Sequence, residues 1–139
     1  MGSRIEISLA AVLVAAAANM AVGAVWYAPR LLGKRWLAAM GWSQKELARR
    51  KQQGLSKAYG GTFLASLVLA YFLAHVVEFM GASTLLDGAH VGFWVWLGFV
   101  ATTSLGVSLF EGRPLALYLI NAGGYLAGLA VMGGLLAVM

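Results

Sequence analysis

The chain has 139 residues, of which 61% are hydrophobic and only 11% are charged, and its mean hydropathy is +0.81. Charged residues make up about a quarter of soluble domains, so this composition excludes an ordinary soluble protein and indicates a single membrane domain, residues 1–139. The chain has no cysteine, which excludes disulfides, thiol catalysis and cysteine-ligated metal.

Four uncharged runs follow one another along the chain, at residues 7–29, 58–77, 88–110 and 114–139. Each reaches the roughly 20 residues that a helix needs to cross a bilayer. None shows the alternation of apolar and polar residues that is typical of barrel strands, so the runs predict helices. The expected fold is an all-α integral membrane protein. It is an up-down antiparallel four-helix bundle with helices at about 6–28, 58–80, 89–110 and 115–138.

The connection between the first two helices, residues 29–57, carries most of the positive charge. Its basic residues are Arg30, Lys34, Arg35, Lys45, Arg49, Arg50, Lys51 and Lys57. Basic loops beside spans are retained in the cytoplasm, so we expect this loop inside and both termini outside. The heavier charge follows the first run rather than precedes it, which favours a span over a cleaved signal peptide. Tryptophans agree with this orientation, with Trp26, Trp36 and Trp42 expected at the cytoplasmic interface and Trp94 and Trp96 near the outer end of the third helix.

The first part of the loop predicts a short amphipathic helix. Trp36, Leu37 and Met40 alternate with Lys34 and Arg35, as they would on a helix lying in the headgroup layer, and the next residue, a glycine, ends the pattern. Lys34, Arg35 and Trp36 are therefore candidate contacts for anionic lipid headgroups. Nucleic-acid binding is not expected, because the loop has no recognisable binding fold.

The second part of the loop predicts a polar helix. Residues 43–46 read SQKE, the spacing of a capping box in which Ser43 caps the first turn and Glu46 reaches back to the serine amide. The helix is expected at about residues 44–52. Pro29 is expected to end the first span, because its ring removes a backbone donor and restricts the preceding residue.

Small residues recur on two of the predicted spans. Gly124 and Gly128 form a GxxxG pair on the fourth helix. Further small residues lie beside this pair, at Gly123, Ala127, Ala130 and Gly134, and along the first helix, at Ala10, Ala17, Ala21, Ala24 and Ala28. Helices associate in lipid by close backbone approach at such positions. The stripes therefore indicate either packing within one subunit or a homo-oligomer, and we expect a homo-oligomer because four helices alone enclose little space.

Uncharged polar residues lie at a similar depth in all four helices. Counting ~1.5 Å per residue from the helix ends nearest the basic loop places them roughly 10–14 Å inside the bilayer. They are Asn19, Ser66, Thr102, Thr103 and Asn121. A polar group without a partner at this depth costs several kcal/mol, so we expect an interior polar layer. It serves either to hold helices together or to line a path for a solute or ion.

The turn between the last two helices carries an acid and a base, Glu111 and Arg113, on either side of Gly112. The two side chains can form a local ion pair, and Glu111 can also reach Lys34 or Arg35 of the basic loop. The alternative is a gate at the cytoplasmic mouth of a pathway.

Two polar pairs lie at the opposite end of the bundle. His75 and Glu78, and likewise Asp87 and His90, are three positions apart and so share a helix face. The four side chains suit a divalent metal or a proton site, or they are merely solvated helix ends. No GxSxG, phosphate-loop or HExxH motif occurs, and no cofactor other than such a metal is expected.

Several segments together resemble one family. They are WYAP, GKRW, MGW and, above all, LFEGRPLALYLINAGGYL. The chain resembles, over nearly its whole length, a bacterial membrane family of unknown function, domain of unknown function 1761. The most specific part is residues 110–114 followed by Ile120, Asn121, Gly124 and Tyr125. The resemblance implies a bacterial inner-membrane location and brings no activity.

Three functional hypotheses follow. The favoured one is a non-enzymatic oligomeric channel or carrier for a small solute or ion. The alternative is a non-catalytic scaffold or lipid-binding protein. The least favoured is a metal-dependent enzyme at the outer surface that uses the two histidines and two acids.

Overall fold

The computed structural model describes residues 7–139, which fold into six helices and contain no strand. The helices are α1 (Leu9–Trp26), α2 (Gly33–Met40), α3 (Gln44–Gln52), α4 (Ser56–Phe79), α5 (Leu85–Glu111) and α6 (Leu115–Val138). Helices α1, α4, α5 and α6 are each long and apolar enough to cross a membrane. The predicted all-α fold, with four helices of the length and apolar composition of membrane spans, is confirmed, and the expected start of the first helix at residue 6 lies outside the described residues.

Local capping sets the ends of the spans. The Thr84 hydroxyl accepts a hydrogen bond from the Asp87 N–H at 3.0 Å, so α5 begins at Leu85, earlier than residue 89. The charge of Asp87 argued against a span there, yet an acid is favourable in the first turn of a helix. Helix α1 ends at Trp26 rather than at residue 28, because the chain folds into a tight turn from Tyr27 onwards.

The basic loop contains the two short helices that the sequence predicts. Gly41, in the left-handed conformation with φ 75°, ends α2. The Ser43 hydroxyl accepts from the Glu46 N–H at 3.1 Å and starts α3, which spans Gln44–Gln52 as expected. The Glu46 carboxylate accepts hydrogen bonds from Arg49 and Arg50, each at 3.0 Å.

Aromatic rings hold this loop against the end of α1. Trp36 makes edge contacts with Tyr27 and Trp42, with ring centroids 6.0 and 5.2 Å apart. The Arg50 guanidinium lies 4.0 Å from the centroid of Trp42, a cation–π contact. One aromatic cluster thus joins α1, α2 and α3.

Helix α6 is the centre of the bundle, because it contacts α1, α4 and α5. Contacts with α5 run in opposite directions along the two helices: Leu85 lies against Gly134, and Trp96 lies against Ala122. We call the end of the bundle that holds Trp26, Ser56, Glu111 and Leu115 the loop end, and the end that holds Leu9, Phe79, Leu85 and Val138 the far end. A buried core cluster occupies the far-end half, and it includes Ala15, Ala70, Val77, Leu129 and Met132.

The GxxxG pair of α6 packs within the subunit. Gly124 lies under the Trp26 indole, where an added Cβ would be 3.0 Å from the ring. Gly128 lies directly against the Asn19 amide oxygen. In contrast, the alanine stripe of α1 stays on the surface, with exposed residues at Ala10, Ala17, Ala21 and Ala24.

Candidate functional site: a polar groove at the loop end

The far-end half of the α5–α6 pair is closed by direct contact between backbones. A Cβ added at Gly88 would overlap the carbonyl of Gly133, and one added at Gly133 would overlap the carbonyl of Gly88. One turn along, a Cβ at Gly92 would overlap the carbonyl of Leu129. Only glycine allows helices to approach this closely, so no space remains between α5 and α6 in this half.

A π-turn at Trp96–Ala101 changes the register of α5 in the middle of the bundle. The Trp96 indole donates to the Ala122 carbonyl at 2.7 Å, and the Ala101 carbonyl accepts from the Tyr118 hydroxyl at 2.8 Å. Residues 96 and 101 therefore both face α6, although they are five positions apart. A regular helix would bring a residue back to the same face after three or four positions.

The register change decides which residues of α5 face α6 in the loop-end half. From Ala101, helical spacing turns Ser104, Ser108 and Glu111 towards α6. The large rings of Phe99 and Phe110, which are 71% and 97% exposed, turn away. The face of α5 that meets α6 therefore changes from glycine to serine at the π-turn.

This half of the helix pair encloses a groove of about 320 Å³. Most of the lining residues carry a polar group, but the surface that they present to the groove is largely apolar. They are Thr103, Ser104, Val107, Ser108, Glu111, Arg113, Leu117, Tyr118, Asn121, Ala122 and Tyr125. At ~1.5 Å per residue, Ser104 lies roughly 10 Å along α5 from Glu111, so the groove reaches well into the apolar depth of the bundle.

An ion pair stands at the mouth of the groove. The Arg113 Nε donates to Glu111 Oε2 at 2.5 Å, and its Nη1 lies 3.4 Å from the Met40 sulfur at the end of α2. Among residues 7–139, Arg113 is the salt-bridge partner of Glu111, so the expected contact with Lys34 or Arg35 is not formed there. Arg113 lies two positions from Glu111 in the same turn, so it reaches the Glu111 carboxylate more easily than a base on another helix does.

Asn121 connects the groove to the end of α1. Its side-chain oxygen accepts a hydrogen bond from the Tyr27 hydroxyl at 2.8 Å. Beside it, the Trp26 indole donates to the Ile120 carbonyl at 2.8 Å. Trp26 at the end of α1 and Trp96 on α5 thus bind α6 at two carbonyls that are two residues apart. Trp96 was expected near the outer end of its helix, but the earlier start of α5 places it at mid-length.

The other polar residues at this depth have different partners. The Asn19 amide donates to the Ser66 hydroxyl at 2.9 Å, and Ser66 is buried between α1 and α4. Thr102 and Thr103 are exposed and donate to carbonyls of their own helix, Thr102 to Gly98 at 2.9 Å. Thr103 also borders the groove. The structure therefore brings Asn19 and Ser66 together and places Asn121 and Thr103 at a separate site.

The four polar residues of the far end do not assemble. Within the described residues, no group of three or more histidines and acids lies close enough to hold a metal ion. His75 Nδ1 donates to the Tyr71 carbonyl at 2.9 Å, and Glu78, Asp87 and His90 are exposed. A metal site from these residues stays a prediction that the arrangement does not favour.

Sequence reasoning missed the serines and tyrosines that line the groove. Ser104 lies next to Thr103, which depth counting selected, and Ser108 lies one turn further along, but the choice among these residues depends on helix register. A π-turn has no firm sequence signature, and Gly98 within Trp96–Ala101 is the one local hint. Tyr118 was overlooked because tyrosine near a helix end also suits an interfacial aromatic belt, and Tyr125 was named only for the family resemblance.

Comparison with known proteins gives one match. No curated protein and no solved structure matches this chain. A family model described as "Protein of unknown function (DUF1761)" matches residues 10–137, which is nearly the whole chain. The match includes the turn of α1, the ion pair at the mouth and the groove-lining part of α6, and it confirms the resemblance drawn from the sequence. The chain therefore belongs to the DUF1761 family of proteins of unknown function.

Proposed function

We propose that this protein is a small membrane carrier that binds a solute in the groove between α5 and α6. The observation that carries the proposal is the contrast along this helix pair. It is sealed by glycine backbones at the far end and open at the loop end, where polar groups are set in a largely apolar lining. A carrier needs a binding site that is accessible from one side while the other side is closed.

The groove has the chemistry of a binding site. Its hydroxyls, such as those of Ser104 and Ser108, can donate and accept hydrogen bonds, and Asn121 adds an amide. Discontinuous helices lie next to the binding sites of many transporters, and π-turns are frequent at functional sites. The π-turn with Gly98 is therefore where we place the change of angle that opens and closes the groove.

We place the loop end in the cytoplasm and both termini outside, in a bacterial inner membrane. The support is the excess of lysine and arginine in residues 29–57. Cysteine tags at Gln52 and Ser83 test this orientation in intact cells with an impermeant thiol reagent. Labelling is expected at Ser83, and labelling of Gln52 from outside overturns it. A third tag position, Ser3, lies outside the described residues.

We also propose that copies of the chain associate. The GxxxG pair of α6 already packs against α1 and is not free to bind another copy. We therefore assign self-association to the exposed alanine stripe of α1, where a second copy would leave the groove unobstructed. A mass measurement in detergent tests it, with Ala21→Leu expected to lower the mass.

Reconstituted vesicles test the carrier. Stopped-flow light scattering follows solute entry for a panel that contains a polyol, an amide, a monovalent cation and a monovalent anion. The Ser108→Trp variant fills the groove and is expected to reduce entry at least about tenfold. The matched control is Leu109→Trp on the same helix turn, where the side chain is 70% exposed and points away from the groove.

Two outcomes contradict the proposal. One is a wild-type protein that speeds entry of none of the solutes. The other is equal entry through the Ser108→Trp and Leu109→Trp variants. The lipid-binding alternative is supported by the exposed Lys34 and Arg35 on α2 beside the mouth, and it predicts copurified anionic lipid without solute entry.

A further inference from the structure

We propose that the groove accepts an uncharged polar solute and rejects ions of either sign. This inference rests on the proposed binding role of the groove and specifies the class of its ligand.

The first support is the distribution of charge around the groove. Beyond the mouth, the polar lining consists of neutral groups: the hydroxyls of Thr103, Ser104, Ser108, Tyr118 and Tyr125 and the amide of Asn121. Glu111 and Arg113 are the charged lining residues, and they neutralise each other at 2.5 Å. The field of such a close pair decreases steeply with distance, because the two opposite charges largely cancel.

The second support is the cost of burying an ion. Ser104 lies roughly 10 Å along α5 from the ion pair, between helices whose outer faces are apolar. An ion at this depth gives up much of its hydration, and the lining beyond the mouth offers it no side chain of opposite charge. A neutral solute loses far less, and the hydroxyls replace its hydrogen bonds to water.

The third support is size and hydrogen-bonding symmetry. A volume of about 320 Å³ is at the lower end of the range for ligand pockets and corresponds to roughly ten water molecules at ~30 Å³ each. Hydroxyl groups donate as readily as they accept. The ligand class that fits is a small molecule rich in hydroxyl or amide groups.

Cysteine chemistry tests this inference without knowledge of the ligand. Because the chain has no cysteine, Ser104→Cys introduces the single thiol at almost unchanged size. The protein in vesicles is treated with three methanethiosulfonates of similar size that carry a hydroxyethyl, a trimethylammonium-ethyl or a sulfonatoethyl group. Each rate is divided by the rate of the same reagent with a free thiol in solution, which removes intrinsic differences in reactivity.

The hydroxyethyl reagent is expected to react at least about tenfold faster than either charged reagent, and the two charged reagents are expected to be slowed alike. The matched control is Leu105→Cys, the next residue on α5, which does not line the groove and is expected to react with none of the three. Ser108→Cys, nearer the mouth, provides a second position and is expected to discriminate less.

The inference is overturned if one charged reagent reacts with Ser104→Cys as fast as the neutral one, or if none reacts. These results can be distinguished from the outcome of the solute-entry experiment. If the neutral reagent labels Ser104→Cys fastest but the protein moves no solute, the carrier proposal is contradicted and the inferred ligand class is retained. If ions enter the vesicles, Ser108→Trp blocks their entry and a charged reagent labels fastest, the inferred ligand class is contradicted and the carrier proposal is retained.

Discussion

The two halves of the α5–α6 pair are built from the same two helices and yet differ in every property that governs binding. At the far end, Gly88 and Gly133 bring the backbones into contact and leave no room for a side chain. At the loop end, Ser104 and Ser108 face an open groove with an ion pair at its mouth. Close packing and an open binding site can therefore adjoin within one helix pair, provided that the register of one helix changes between them.

The largest expected effect comes from adding one carbon to the closed half. Gly88→Ala places a Cβ so close to the carbonyl of Gly133 that the two overlap. The Cβ is fixed to the backbone of α5 and the carbonyl is part of the backbone of α6, so the overlap can be relieved only if the helices separate. We expect a loss of about 3 kcal/mol in the free energy of unfolding, at the upper end for overpacking. Denaturant unfolding in detergent micelles measures it.

Gly106→Ala is the matched control in the open half of the same helix. No atom lies within 4 Å of its added Cβ, so this change is expected to be neutral or slightly stabilising. Equal losses in the two variants would contradict the contrast between the halves.

A second comparison separates polar residues that hold helices from those that line the groove. Asn19→Leu leaves the Ser66 hydroxyl buried without its partner amide. We expect it to lower the free energy of unfolding by about 1–2 kcal/mol and to leave solute entry unchanged. Ser104→Ala is expected to do the opposite, with lower solute entry at nearly unchanged stability. A loss of entry in Asn19→Leu vesicles, at full protein content, would place Asn19 in the pathway.

Tyr118→Phe tests how the open half is held. Its hydroxyl donates to the Ala101 carbonyl and joins α6 to α5 at the end of the π-turn. We expect a loss of about 0.6 kcal/mol, typical of hydrogen bonds between helices in lipid. Spin labels at Leu109 and Leu119 should show a broader distance distribution across the groove. An unchanged distribution would mean that this bond does not set the width of the groove.

The smallest effect concerns α3, beyond the mouth of the groove. The hydrogen bond from Arg49, aided by Arg50, holds the pKa of the Glu46 carboxyl below its usual value. The stabilisation of α3 is therefore present above the unfolded pKa of glutamate and is lost as the pH falls through the lower folded value. A spin label at Gln52 is expected to become more mobile only in that acidic range. With Glu46→Gln, the mobility should not depend on pH.

Much of the architecture follows from the sequence alone. Four uncharged runs predict the spans because backbone groups in lipid must find partners within their own helix. The start of α3 follows from the capping position of Ser43. Each of these inferences depends on local chemistry, which a sequence displays directly.

The groove could not be predicted in this way. Its lining depends on the helical phase of α5 beyond residue 96, and a single extra residue in the π-turn decides whether Ser104 or Phe99 faces α6. The pairing of Asn19 with Ser66, rather than with Asn121, likewise depends on which helices are neighbours. Depth along a helix can be counted from a sequence, whereas direction around it cannot once the period is interrupted.

The π-turn also determines where this chain can change length. Removing one residue from a regular helix rotates everything that follows by about 100° and turns lining residues away from their partners. Within Trp96–Ala101 the helix already holds one residue more than a regular turn needs. The loss of a residue there restores ordinary spacing and keeps Ser104, Ser108 and Glu111 on the side of α6. Relatives that are one residue shorter at this point can therefore retain the same groove on an unbroken helix.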